Sequence, residues 1–564
     1  MKISDNTLAR TGGQILIDAL KVHGVDHVFG VPGESYLAAL DAFHDATEKI
    51  KFVICRQEGG AAYMADAYGK LTGRPGICFA TRGPGAANAS LGIHTAYQDS
   101  TPVILFIGQV GNDFVEREAF QEIDYRRMYG QMAKWVAQID RADRVPEYVS
   151  RAFHTAVSGR PGPVVLALPE DMLTETAAVA DTGRYHRIAA HPGEEDLQKL
   201  RVMLAQSRRP FVLLGGSDWD AKACADFRAF AEANDLPVGT AFRRQDLYDN
   251  RLPNYVGDVG IGINPKLAER VKTCDLLIAV GARMDEMTTG GYTLVNAPRP
   301  KPKFVHVHPG AEVLGRVYEA ELLIHSGMPE FAQAARKLAL ADSRPWKDWT
   351  KAARADYEAW LNPDPVPGAL NIAEVIVHLR KRLPPETIVA NGAGNFAGWI
   401  HRYYQYPGFR TELAPTSGSM GYGVPAAVAA KLVHPERPVI SFSGDGDFLM
   451  CGQELATAAQ YDLKIVFLVV NNGMYGTIRM HQERDYPGRV SGTDLKNPDF
   501  AALARAYGLH GETVEKTADF EPAFERAWLA KTASLIELRI DPEAITTRTT
   551  LSAIRAAALK NRKT

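Results

Sequence analysis

Short apolar runs alternate with longer amphipathic stretches along almost the whole chain. Runs at 53–55, 76–80, 103–108 and 163–168 predict buried strands in the first third, with a helix over 60–71 between two of them. Runs at 210–214, 276–280 and 303–308 predict strands in the middle third. Those at 387–390, 439–443, 464–470 and 535–540 do so in the last. The runs are short, and the one at 465–470 is rich in β-branched residues, as suits a strand buried on both faces. Such alternation predicts α/β layers built on parallel sheets. The polar stretch 174–195, with His191-Pro192-Gly193, reads as a linker. A charged, aromatic segment at 343–361 precedes 362–368, where three prolines favour extended backbone and place a second boundary. The outer thirds share one rhythm, which suggests two similar α/β domains.

The 564 residues suffice for three or four domains. With 64 basic and 66 acidic residues the net charge is −2, which argues against a nucleic-acid partner or an anionic membrane surface. An apolar share of 46% is ordinary for a globular chain and can build several cores. Five scattered cysteines with no CxxC pair fit a reducing cytoplasm better than a disulfide framework. The first 25 residues read as an amphipathic helix rather than a secretory signal. No apolar run nears the ~18 residues that span a bilayer.

The richest stretch is 439–476. A strand ends in Gly444-Asp445-Gly446, and a second ends in Asn471-Asn472 after 24 intervening residues. That gap suits a βαβ crossover returning to a parallel strand. Asp445 and Asn472 would then sit at the carboxyl ends of the two strands, where open α/β sheets bind ligands. Asp445 brings a charged oxygen, Asn472 an amide oxygen, and the Met474 carbonyl a third. Hard oxygen donors with room for phosphate and water suit Mg²⁺. Gly444 and Gly446 let the backbone approach a phosphate, and a helix after Asp447 would offer it free N–H groups.

This stretch resembles the diphosphate and metal motif of thiamine-diphosphate enzymes. Arg56-Gln57-Glu58-Gly59-Gly60-Ala61-Ala62 is similar to the family segment whose glutamate contacts the cofactor's pyrimidine ring. Thr81-Arg82-Gly83-Pro84-Gly85-Ala86 resembles a glycine-rich loop of the same domain, and the run from Ser419 to Ala427 resembles the segment under the bent cofactor. Within the superfamily, Phe120-Gln121-Glu122, Lys134 and the stretch 281–290 look most like the acetolactate synthase branch. The resemblance implies three doubly wound parallel-sheet α/β domains: a pyrimidine-binding domain at 1–175, a central Rossmann-like domain at 190–340 and a diphosphate-binding domain at 365–545. It also implies a homodimer or homotetramer with active sites between subunits.

By the same resemblance, Glu58 hydrogen-bonds the aminopyrimidine and promotes the tautomer that deprotonates the thiazolium carbon. Cofactor contacts are expected from Glu58, Gly83, Pro84, Asn88, Asn395, Phe396, Gly418, Met420, Gly444, Asp445, Gly446, Asp447, Asn472, Met474, Tyr475 and Gly476. Among these, Met420 is the apolar wedge, and Asp445, Asn472 and Met474 hold Mg²⁺. Phe120 and Gln121 are expected to touch substrate and Lys134 a substrate carboxylate, unless Lys134 is an ordinary solvated surface group. Thr477, Arg479 and His481 are expected at the active-site mouth, with His481 as a proton donor or simply a satisfied histidine.

The chain also departs from the branch. Met287 stands where the family has an arginine that recognises the acceptor, and a thioether cannot form the paired hydrogen bonds of a guanidinium. His481 replaces a tryptophan of the acceptor pocket, and Gln57 replaces a histidine. The central domain keeps Gly215-Gly216-Ser217 and Gly281-Ala282-Arg283, so FAD remains open. The altered stretch 256–262, with no GxGxxG turn, tilts the expectation slightly against flavin. The expected activity is a carboligation that decarboxylates a 2-oxoacid such as pyruvate and transfers the acyl-anion unit to an acceptor. A 2-oxoacid decarboxylase or 2-hydroxy ketone lyase of the same superfamily is the alternative. A non-catalytic cofactor-binding protein comes third.

Overall fold

The structure, a computed structural model, describes residues 8–338 and 344–562. The expected domain limits at 1 and 340, residue 343, and the first seven residues of the N-terminal amphipathic stretch lie outside the described residues. Contacts divide the chain into two compact units. One runs up to Ile188 and takes in Val428–Val433; the other comprises Ala189–Ala427 and the chain from His434 onward.

The first unit holds a six-stranded parallel sheet in the spatial order Lys51–Ile54, His27–Gly30, Gly76–Ala80, Val103–Gln109, Pro163–Pro169, Trp135–Gln138. Val103–Gln109 and Pro163–Pro169 are buried at every position. They therefore read as unbroken apolar runs. His27–Gly30 is short and was not foreseen from the sequence. The predicted helix over 60–71 spans Glu58–Thr72. Gln57 caps it by accepting from the Gly60 N–H at 3.0 Å, and Gly73 ends it at φ +74°.

The second unit holds two further six-stranded parallel sheets. The central one runs Tyr255–Val259, Val238–Ala241, Pro210–Leu214, Leu276–Val280, Lys303–His308, Leu322–His325, the 3-2-1-4-5-6 order of a Rossmann sheet. The other runs Glu412–Leu413, Ile388–Asn391, Val439–Gly444, Val466–Asn471, Ser534–Arg539, His510–Val514. Counted along the chain, this order is 2-1-3-4-6-5, the same as that of the first unit's sheet. The suspected likeness of the outer thirds thus extends to topology.

Two helices carry these layers past their expected ends. Lys347–Trp360 packs Tyr357 and Ala353 into the central cores, so the central layer runs well beyond 340. Leu551–Asn561 lies beyond 545 and joins Met474 and Ile545 in a small apolar cluster through Leu551. Both helices expose much of their surface, so apolar runs alone did not mark them. All five cysteines are free. Among the described residues no helix is long and apolar enough to cross a membrane.

Candidate active site

In the last sheet the strand order reverses between Ile388–Asn391 and Val439–Gly444. The loops leaving the carboxyl ends of two such strands diverge to opposite faces and leave a crevice. A cavity of about 250 Å³ lies there. Its wall includes every cofactor residue expected from the last third: Asn395, Phe396, Gly418, Met420, Gly444, Asp445, Gly446, Asp447, Asn472, Met474, Tyr475 and Gly476.

Asp445 is buried at the end of its strand. Its Oδ1 accepts from the Gly446 N–H at 2.9 Å, and its Oδ2 from the Gly473 N–H at 2.9 Å and from Asn497 Nδ2 at 2.8 Å. Burial pushes its carboxyl upward, and these donors only partly oppose the shift. Among the described residues no Lys, Arg or His forms an ion pair with it. A buried carboxylate held by neutral donors alone, on a cavity wall with the Asn472 amide and Met474, suits a divalent cation.

The two asparagines divide their work. Asn471 is structural: its amide donates to Glu537 Oε1 at 2.7 Å, and its oxygen accepts from Gly473 N and Asn497 Nδ2. Asn472 lines the cavity, and its Oδ1 accepts from the Met474 N–H at 3.2 Å. The loop is pinned from outside by 493–497, through Tyr475 N to Thr493 O and Leu495 N to Gly473 O, both at 2.8 Å. Sequence reasoning missed Asn497. The available signal was Asn497-Pro498-Asp499, in which Asp499 caps the following helix by accepting from Ala502 N.

Two expectations are refined here. The helix expected after Asp447 begins at Asp445 and spans Asp445–Cys451. Asp447 lies inside its first turn, fully buried. Its Oδ1 takes the N–H groups of Ala393 and Gly421, each at 2.9 Å, so it clamps two cavity loops together. Burial pushes its carboxyl up to about 6. Asn395 is likewise a fastener. Its N–H donates to Thr477 Oγ1 at 2.9 Å, and its amide donates to the Ile545 carbonyl at 3.1 Å. The Phe396 ring fills the space that Cβ atoms on Gly394 and Gly444 would need.

The first unit gathers a second group. Glu58 opens its helix and is buried, and Asn88 Nδ2 donates to Glu58 Oε2 at 3.0 Å. Gly85 leaves the other oxygen room: a Cβ there would stand 3.1 Å from Glu58 Oε1. Gly83, at φ +50°, donates its N–H to Tyr125 OH at 3.0 Å, and Pro84 begins the helix that carries Asn88. A Cβ on Gly83 would meet Gln121 at 2.8 Å, so Gln121 belongs to this cluster. Phe120 is 70% exposed beneath the Arg82 guanidinium.

Three expected residues stand elsewhere. Lys134 donates to the carbonyls of Thr155 at 2.5 Å and Ser158 at 2.7 Å, at the carboxyl end of the helix Val145–Val157. A cation there meets the terminal helix carbonyls, and Lys134 is exposed, in line with its alternative as a surface group. Arg479 pairs with Glu483 at 3.1 Å. His481 lies outside the cavity wall and is pushed toward the neutral form by burial. Thr477 does line the cavity, and with it Trp399, Ile540 and Ile545, which carried no sequence motif.

Comparison with known proteins places the whole chain. Residues 10–128 match the N-terminal TPP binding domain of thiamine pyrophosphate enzymes, 197–335 the central domain and 392–538 the C-terminal TPP binding domain. The chain is 31% identical to an acetolactate synthase large subunit of Corynebacterium glutamicum, over 92% of this chain and 84% of that one. It is 32% identical to one of Parasynechococcus marenigrum, over 94% and 87%. It is 30% identical to the acetolactate synthase isozyme 2 large subunit of Escherichia coli, over 94% and 95%. Motif order, three matched domains and near-complete coverage agree: the chain belongs to the thiamine pyrophosphate enzyme family, in its acetolactate synthase branch.

Proposed function

We propose that the protein is a thiamine-diphosphate- and Mg²⁺-dependent carboligase of acetolactate synthase type. It would decarboxylate a 2-oxoacid such as pyruvate and join the acyl unit to a second carbonyl compound. The observation that carries this reading is the cavity at the strand-order reversal, whose wall joins Asp445, Asn472 and Met474 to the Gly418–Met420 turn. Bound there, thiamine diphosphate supplies a stabilised carbanion equivalent at its thiazolium carbon. Asp445, Asn472 and the Met474 carbonyl would hold the metal, Gly444 and Gly446 would admit the diphosphate, and Met420 would be the apolar wedge under the cofactor. Glu58, its carboxylate held by Asn88, would orient the aminopyrimidine and exchange a proton with it. Gln121, beside Gly83, would meet substrate.

The working form is a cytoplasmic homodimer or homotetramer that completes each site with a second copy. Leu449 and Met450 support this: they are 45% and 44% exposed on the same helix that begins at Asp445. Flavin is left out of the reading. At the reversal of the central sheet, Trp219 donates to the Gly215 carbonyl at 2.9 Å, and the Met328 sulfur lies 2.9 Å from a Cβ position on Gly281. These two side chains at the reversal support a reading without bound flavin.

A proton NMR time course with thiamine diphosphate, Mg²⁺ and pyruvate tests the reading. Acetolactate is the expected product. Acetaldehyde alone would move the assignment to the decarboxylase, which the Met287 and His481 departures favour. Loss of no pyruvate by cofactor-loaded protein would overturn pyruvate as donor.

A further inference from the structure

The turn that presents Gly418 and Met420 to the cavity lies in neither helix nor strand, and Gly418 sits at φ +71°. An irregular wall of this kind keeps its shape only through contacts from outside it. One of them comes from the central domain. Arg243 follows the strand Val238–Ala241, is 5% exposed, and holds φ +59°, a conformation that residues with side chains rarely adopt. Its Nη1 donates to the Pro415 carbonyl at 2.5 Å, and the Gly418 N–H donates to the same oxygen at 3.1 Å. A charge-assisted bond therefore ends on the acceptor that closes the turn.

The exit segment around Arg243 is fastened independently. The Gln245 N–H donates to Glu412 Oε2 at 2.6 Å, and its amide donates to the His401 carbonyl at 3.0 Å. At the far side of the turn the Gly421 N–H donates to Asp447 Oδ1 at 2.9 Å. Arg243 thus fixes one end of the turn by a direct bond, and Asp447 holds the other. Asp445 and Asn472 line the cavity from other loops.

We propose that Arg243 is a positioning residue through which the central domain sets the Gly418–Met420 turn, and so the seat of the cofactor's rings but not of its diphosphate. This rests on the cofactor reading given above. The test compares two probes by calorimetry on the full-length protein with Mg²⁺: thiamine diphosphate, which needs the turn, and inorganic pyrophosphate, which needs only the metal loop. In R243M, thiamine diphosphate should bind about tenfold more weakly, as befits a lost charged hydrogen bond. Pyrophosphate affinity should stay as in the wild type. R243K, whose ammonium reaches the same carbonyl without the fork, should recover part of the loss. Equal weakening of both probes, or of neither, would overturn the proposal. If R243M does not fold, R243Q is read in the same way. Wild-type protein that binds pyrophosphate but no thiamine diphosphate would instead sink the cofactor reading, which separates the two failures.

Discussion

Asn497 donates through one amide nitrogen to two acceptors, Asp445 Oδ2 at 2.8 Å and Asn471 Oδ1 at 2.9 Å, across 52 and 26 residues of chain. The carboxylate placed to meet the metal is therefore oriented by a side chain from another loop. Groups behind a metal ligand commonly change affinity by about 10- to 100-fold when removed. N497A should raise the Mg²⁺ concentration needed for half-maximal activity within that range, with turnover at saturating metal largely kept. D445A should abolish metal-dependent cofactor binding in calorimetry; normal affinity in that variant would reject the metal assignment.

Glu58 and Asn88 make the corresponding pair in the first unit. E58Q keeps size and hydrogen bonding but cannot exchange a proton, so cofactor affinity should persist while turnover falls by about 100-fold or more. N88A frees the carboxylate without removing it and should cost less. Unchanged turnover in E58Q would reject the role given to Glu58.

Lys134 offers a contrast. Because its ammonium rests on helix carbonyls, K134M should lower the thermal midpoint and leave the KM for a 2-oxoacid unchanged. A large rise in KM with an unchanged midpoint would restore the substrate-carboxylate role.

His23 sets a pH dependence away from the active site. It is buried against Phe153, with ring centroids 4.5 Å apart, and its Nδ1 accepts from the Tyr185 N–H at 3.1 Å. Burial pulls its pKa from 6.5 to about 4. Above pH 6.5 the ring is neutral in both folded and unfolded chains. Between 6.5 and 4 only the unfolded chain takes up the proton, so stability falls with pH by up to about 1.4 kcal/mol per unit. Below 4 both states bind it. H23N, which keeps an acceptor near Nδ1, should show a shallower loss in denaturant melts across that window; an unchanged slope would show that His23 titrates normally.

The parts of the fold legible in the sequence were those with a local cause. The strand 276–280 was bounded correctly because a strand buried on both faces must be continuously apolar. His27–Gly30 and Glu412–Leu413 escaped because such short pieces are held by their neighbours rather than by their own pattern. The helix Lys347–Trp360 hid behind its charged face while burying Thr350, Ala353 and Tyr357.

In the site, the Asp445–Asn472 spacing was readable because a crossover of that length returns a strand to its neighbour's side, and residue type then restricts the ligand. The same sequence could not say that Asn471 faces the protein while Asn472 faces the cavity, that Lys134 caps a helix, or that Arg243 reaches across to Pro415. Those facts depend on where distant loops meet, and a side chain with several donors takes whichever acceptor the packing brings within reach. The sequence by itself determined the chemistry available, the layer type and the family. Only the tertiary structure decided which of those polar groups spend their hydrogen bonds on the protein and which remain turned to a ligand.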